Sequence, residues 1–316
     1  MARSSSRTCA SCSTRQPDQP AANHLNKEQE LTNLAKRNRT LSNPLRLGAA
    51  VAAVAAAAAA ALLAGCAAGG TNLSAVPEFR PGVPAGYLAA DARPDSLKLL
   101  PAPPAQGSPA QALDDDAARQ AGTLRGSPRW QVAATDAVLT FPQAASAFSC
   151  ALGVPVSARD TPHLNILLRR SLVDAGLSTY GAKDRYKRTR PFVANKTAMC
   201  TPDEAAKLEK DGSYPSGHSA IGWAWALILA EVEPARADAI LARGRTFGQS
   251  RVVCNVHWQS DVNEGRMMAA ATVARLHADP TFRADLEQAR REVAAARVAG
   301  ARAPGDCQAE AAALAP

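Results

Sequence analysis

From Pro109 onward, apolar residues recur at helical spacing, broken at intervals by Pro, Gly and Ser. Ser108-Pro109 reads as a cap and first turn, and the spacing predicts a helix to about Gly122. Further helices are predicted over 128–138, 143–151, 162–180, 202–210, 218–232, 234–248, 258–278 and 280–298. Over 162–180, Leu164, Leu167, Leu168, Leu172 and Val173 fall on one stripe, as a core-facing helix requires. Neither alternating strand patterns nor fixed-period repeats are visible. The pattern predicts an all-α, single-domain helical bundle over 99–298. Residues 67–98, rich in Gly and Pro, read as a tether and irregular arm. Residues 299–316 read as a frayed tail, apart from Cys307.

Composition agrees with helices. Hydrophobic residues make up 47% of the 316-residue chain, but aromatics only 4%, and Ala, the best helix former, supplies much of the apolar count. The net charge of +8 is concentrated early: residues 1–66 hold eight Lys/Arg against three Asp/Glu. The body is close to balanced, which gives no reason to invoke nucleic acid. A basic stretch ending at Arg46 is followed by an uncharged Ala/Leu/Val run, Leu47 to Ala64, and then Gly65-Cys66. That order is an export signal. Its ending resembles a bacterial lipobox, in which Cys66 is lipidated and becomes the mature N-terminus. The expected location is periplasmic, anchored to the outer membrane, with a soluble periplasmic protein as the alternative. The exported part keeps Cys150, Cys200, Cys254 and Cys307. In an oxidising compartment four cysteines suggest two disulfides, and spacing leaves all three pairings open. Neither CxxC nor HxxxH accompanies them, so no metal site is expected.

Three segments carry candidate chemistry. Lys183 to Arg190-Pro191 places five basic residues in eight. Arg suits phosphate bidentately and Lys as a point charge. The ordinary reading of such a run is a solvated face. Gly212-Ser-Tyr-Pro-Ser216-Gly217-His218 precedes a long apolar helix. Its free N–H groups, the Ser216 hydroxyl and the close approach allowed by Gly217 would make an anion site, with His218 at the rim. Ser216 as a simple N-cap is the alternative. In Ser250-Arg251 through His257 to Asp261, His257 and Asp261 stand four apart. The carboxylate can hold one imidazole nitrogen and leave the other free to attack. A surface His–Asp pair is the alternative there. Arg251 is near enough in sequence to reach the same anion.

Taken in order, K-x6-RP, PSGH and SR-x5-H-x3-D resemble the signature of the PAP2 phosphatase and vanadium haloperoxidase superfamily, met at every position. Gly212 to His218, Leu99 to Ser108 and Ala220 to Leu227 further resemble the class A bacterial non-specific acid phosphatases, over roughly 99–295. Asn255, where Gly is frequent, and Ser219, where Thr is usual, depart from that pattern. They replace no chemical group of the site, so they are expected to bear on substrate preference.

The resemblance implies an all-helical fold, often assembled as homo-oligomers, and a metal-independent acid phosphatase without cofactor, acting on a broad range of phosphomonoesters. In it His257 would attack phosphorus to give a phosphohistidine, Asp261 would orient His257, and His218 would protonate the leaving alkoxide and then activate water. Lys183, Arg190, Arg251, Ser216 and the Gly217 N–H would hold the phosphoryl oxygens. It allows phosphate transfer to other alcohols. It also implies a Cys200–Cys254 disulfide, which leaves Cys150 and Cys307 for each other. A protonated His218 would fit an acidic optimum. A vanadium haloperoxidase would use the same residues but is usually much longer. A membrane lipid phosphatase needs several spanning helices. A scaffold with a degenerate pocket would not need every catalytic group.

Overall fold

The structure, a computed structural model, describes residues 71–315, which fall in one unit beginning at Ala68. The leader and Cys66 lie outside the described residues. Nine helices of seven or more residues are described: α1 (Pro109–Gly122), α2 (Pro128–Thr135), α3 (Pro162–Leu177), α4 (Tyr180–Tyr186), α5 (Gly217–Val232), α6 (Ala237–Val253), α7 (Gln259–Leu276), α8 (Pro280–Val298) and α9 (Cys307–Leu314). Local chemistry sets several starts. Ser108, Ser127 and Asp279 accept from the N–H three residues on, each followed by Pro at the first helical position.

The apolar α5 is the central helix, packed on α3, α6 and α7, while α8 lies on α3. Trp225 anchors the main core: it is 1% exposed, stacks edge-on against Phe141 and Phe148, and donates its Nε1–H to Leu168 O at 2.9 Å. A smaller core beneath α1 and α2 joins Ala121, Ala133, Met199, Val252, Val256 and Val262. The two disulfides join Cys150 to Cys307 and Cys200 to Cys254. Among the described residues, no helix is long and apolar enough to cross a membrane.

Several boundaries differ from the pattern's expectation. The helix expected over 162–180 stops at Leu177, and α4 starts anew at Tyr180. Between them the Ser178 and Thr179 hydroxyls donate to the Ala175 and Gly176 carbonyls, drawing them from the helical ladder. Helix α6 runs through Gly248 to Val253 rather than stopping at 248. The arm contains an antiparallel hairpin, β1 (Glu78–Arg80) with β2 (Val83–Pro84), turning at Gly82 with φ of 75°. Every β1 residue is exposed, so no alternation could announce it. Nor is the arm a mere tether. The Asp174 carboxylate accepts from the N–H groups of Tyr87 (2.7 Å) and Leu88 (3.1 Å), both of which join the main core. The tail, expected to fray, forms α9, capped by Asp306 and fastened by Cys307 and a 3.1 Å Glu310–Arg243 ion pair.

Candidate active site

The three segments meet at the N-terminal ends of α5 and α7. Helix α4 ends at Lys187, whose φ of 43° turns the chain into an extended stretch. Lys183 faces inward from the last turns of α4, and Arg190 from the extended stretch. The second segment packs tightly against both neighbours. A Cβ on Gly212 would stand 2.6 Å from Lys183 O, and one on Gly265 of α7 would stand 2.5 Å from Ser216 O. Only glycine permits either approach. Ser216 caps α5: its Oγ accepts from the Ser219 N–H (3.2 Å) and lies 2.9 Å from Ser219 Oγ. The cap does not exclude the anion-site reading of this segment, because the first N–H groups of α5, Gly217 among them, have no partner within the helix.

His257 is 2% exposed. Its Nε2 lies 3.0 Å from Arg190 Nη1. Its Nδ1 is 3.4 Å from both Asp261 Oδ2 and Ser213 Oγ. A guanidinium only donates, so Nε2 presents its lone pair and Nδ1 carries the proton. Asp261 Oδ2 also accepts from the Ser213 hydroxyl and from Trp258 N–H (2.8 Å), while Oδ1 accepts from Arg188 Nη1 at 2.6 Å.

The cations crowd this imidazole. Arg190 donates to the carbonyls of Leu208 and Val256, and its Nη2 lies 2.8 Å from Asp211 Oδ2. Lys183 Nζ reaches the same oxygen at 3.3 Å. Arg251 is fully buried, and none of its three guanidinium nitrogens has a hydrogen-bond partner among the described residues. Burial and the Arg190 charge pull the Arg251 pKa down to about 10 and that of Lys183 to about 8. An unpaired buried cation costs stability unless an anion meets it.

His218 lies at the rim, partly buried, with Nε2 2.9 Å from Ala137 O. A carbonyl only accepts, so Nε2 carries a proton tied to Ala137 O, and Nδ1 is the nitrogen left outside that bond. Burial, and then the charge of Arg251, push the His218 pKa well below its ordinary value. His257 is lowered likewise, by burial and by Arg190, Lys183 and Arg251. The surroundings of both rings thus disfavour the protonated form. A nearby negative charge would favour the protonated His218 that the resemblance implies.

The structure thus brings Lys183, Arg190, Ser216, Gly217, His218, Arg251, His257 and Asp261 together. Cys200 and Cys254 lie just behind, with Cys200 N–H donating to Cys254 O at 3.2 Å. Asn255 has φ of 62°, which explains why Gly suits this position. Its Nδ2 donates to the Thr197 carbonyl and hydroxyl and to Ala198 O, so it holds a neighbouring loop. Sequence reasoning assigned nothing to Arg188, Ser213, Asp211 or Asp114. For Arg188 a signal existed: two residues before Arg190 in extended backbone, it shares that side chain's face. Among the described residues, no three His, Cys, Asp or Glu groups are set to hold a metal ion.

Residues 165–284 match the pattern described as the PAP2 superfamily. The chain is 47% identical over 210 residues to a non-specific acid phosphatase of Providencia stuartii, covering 66% of this chain and 84% of that one. It is 44% identical over 212 residues to an acid phosphatase of Zymomonas mobilis subsp. mobilis, covering 67% and 80%. It is 43% identical over 200 residues to a non-specific acid phosphatase of Salmonella typhimurium, covering 63% and 80%. Among solved structures it is similar to a bacterial vanadium-dependent iodoperoxidase, with a TM-score of 0.41 at 16% identity, over 65% of this chain and 63% of that one.

Proposed function

We propose, from the premise that this chain belongs to the PAP2 superfamily and is an acid phosphatase, that it hydrolyses phosphate monoesters through a phosphohistidine on His257. The observation that carries this reading is the buried His257, whose Nε2 lone pair lies 3.0 Å from Arg190 while Asp261 and Ser213 stand behind Nδ1.

In the first step Nε2 bonds to phosphorus and the phosphorus–oxygen bond to the leaving group breaks. His218 Nδ1, protonated in the complex, gives its proton to the departing alkoxide. In the second step His218 takes a proton from water, the water oxygen bonds to phosphorus, and the phosphorus–nitrogen bond breaks, releasing inorganic phosphate and restoring His257. Charge on the phosphoryl oxygens is met by Lys183, Arg190, Arg251, Ser216 and the Gly217 N–H. That set grips the phosphoryl group rather than the rest of the ester, which supports broad specificity. An alcohol in place of water would give phosphate transfer.

We also read the protein as exported and lipid-anchored at Cys66. The leader supports this, and the two disulfides suit an oxidising compartment.

The test is p-nitrophenyl phosphate hydrolysis with and without a chelator, across acid and alkaline pH, beside His257→Ala. Radiolabelled substrate is quenched in alkali, where a phosphoramidate survives. Label on the wild-type protein and none on His257→Ala is expected. Hydrolysis undiminished in His257→Ala would overturn the reading.

A further inference from the structure

Arg188 is 9% exposed and stands between two carboxylates. On one side its Nη1 donates to Asp261 Oδ1 at 2.6 Å and Ser260 Oγ at 2.8 Å. On the other, Nη2 donates to Asp114 Oδ2 at 2.8 Å and Gln111 Oε1 at 2.7 Å, both on α1. Asp114 is 3% exposed and also accepts from Ser260 N–H (2.8 Å) and the Ser260 hydroxyl (2.6 Å). The guanidinium centre lies 5.3 Å from the Trp258 ring, which limits its movement further.

This strap decides how Asp261 meets His257. With Oδ1 committed to Arg188, Oδ2 is the oxygen left for Ser213, the Trp258 N–H and His257 Nδ1. The carboxylate cannot turn without breaking charge-assisted bonds.

We propose that Arg188, fastened by Asp114, is a positioning residue that sets the orientation of Asp261 and hence of the His257 nucleophile. The inference rests on His257 being that nucleophile.

Removing Arg188 alone leaves two buried carboxylates uncompensated, so two milder variants are used. Arg188→Lys keeps the charge but not the fork. Arg188→Met with Asp114→Asn removes charge from both partners on the α1 side. For each, kcat, the inhibition constant of inorganic phosphate, the pH dependence of kcat/KM and the Tm are measured beside wild type and His257→Ala. A fall in kcat of about 10- to 100-fold, the range for outer-shell partners, is expected with phosphate inhibition little changed. In the double variant the acidic limb of kcat/KM should move to higher pH, because the Arg188 charge no longer opposes a protonated His257. A role confined to tying α1 down would lower Tm and leave kcat and that limb in place, which overturns the proposal. Activity lost in His257→Ala but full in both Arg188 variants overturns this proposal alone. Activity retained in His257→Ala overturns the phosphohistidine reading and this proposal with it.

Discussion

Arg190 Nη1 lies 3.0 Å from His257 Nε2 and also donates to Val256 O at 3.0 Å, so one guanidinium both marks the lone pair of the imidazole and is fixed by the backbone beside it. The relationship selects the tautomer. A donor at Nε2 places the ring proton on Nδ1, where Asp261 and Ser213 receive it.

Arg190→Lys should therefore cost more than a conservative exchange usually does. Lysine cannot serve Leu208 O, Val256 O and Asp211 together while still facing a phosphoryl oxygen. A fall in kcat/KM of about 10²- to 10³-fold is expected in steady-state kinetics, the size seen for loss of one transition-state donor. A loss of less than about tenfold would show that Arg190 does not meet the reacting group.

Arg251→Met should stabilise the protein while disabling it. Burial pulls the Arg251 pKa down to about 10, so holding this charge costs on the order of 3 kcal/mol at neutral pH. A higher Tm is expected. Inorganic phosphate should raise the Tm of wild type, because it binds only the folded form, and should no longer do so in the variant. An unchanged phosphate effect would mean that Arg251 does not face the anion.

Stability should rise with pH in two stages. His257 and His218 titrate well below their ordinary range when folded, so between the folded values and about 6.5 the unfolded chain binds more protons and stability climbs with pH. Lys183, lowered to about 8 from 10.5, gives a second climb between those values. Asp174 opposes the first stage. Its carboxyl is raised from 3.8 to about 6 by burial, so the stability it lends at low pH is lost as pH rises through 6. Tm measured against pH for wild type and Lys183→Met checks the second stage, which should vanish in the variant. In activity, the acidic limb of kcat/KM should lie below the ordinary histidine range. The alkaline limb of kcat, which reports His218 with substrate bound, should lie above the free-enzyme value.

Asp211→Asn should tighten phosphate binding. Asp211 Oδ2 lies 2.8 Å from Arg190 Nη2 and 3.3 Å from Lys183 Nζ, occupying two cations that in the proposed mechanism meet the phosphoryl group. Asp211 is about one-third exposed, which limits the pair to ~1 kcal/mol or less. The inhibition constant of inorganic phosphate should drop by up to about fivefold. A rise instead would mean that Asp211 chiefly orients those cations.

How far the sequence speaks depends on the range of the interaction concerned. The long helices α1, α3, α5, α7 and α8 were legible because each has a strong local signal: a Ser or Asp cap with Pro behind it, an apolar stripe, or an uninterrupted apolar run. Lys183, Arg190, Ser216, His218, Arg251, His257 and Asp261 could be singled out because their chemistry is concentrated in three short segments. The fully exposed β1 carries no pattern, and the break at Ser178 and Thr179 depends on where two hydroxyls point.

Pairings across the chain were decided only by tertiary structure. Asp114 sits in a run of three aspartates, yet it is buried, with Arg188, 74 residues away, between it and Asp261. Burial, not residue type, drives both histidines below their ordinary range and leaves the Arg251 guanidinium without a hydrogen-bond partner among the described residues. By itself the sequence determined which chemical groups the protein owns and which stretches coil into helices, since both follow from local covalent structure. Their distances, desolvation and charge states arise only when distant segments pack together, because electrostatic energy depends on separation in space and on the water that folding removes.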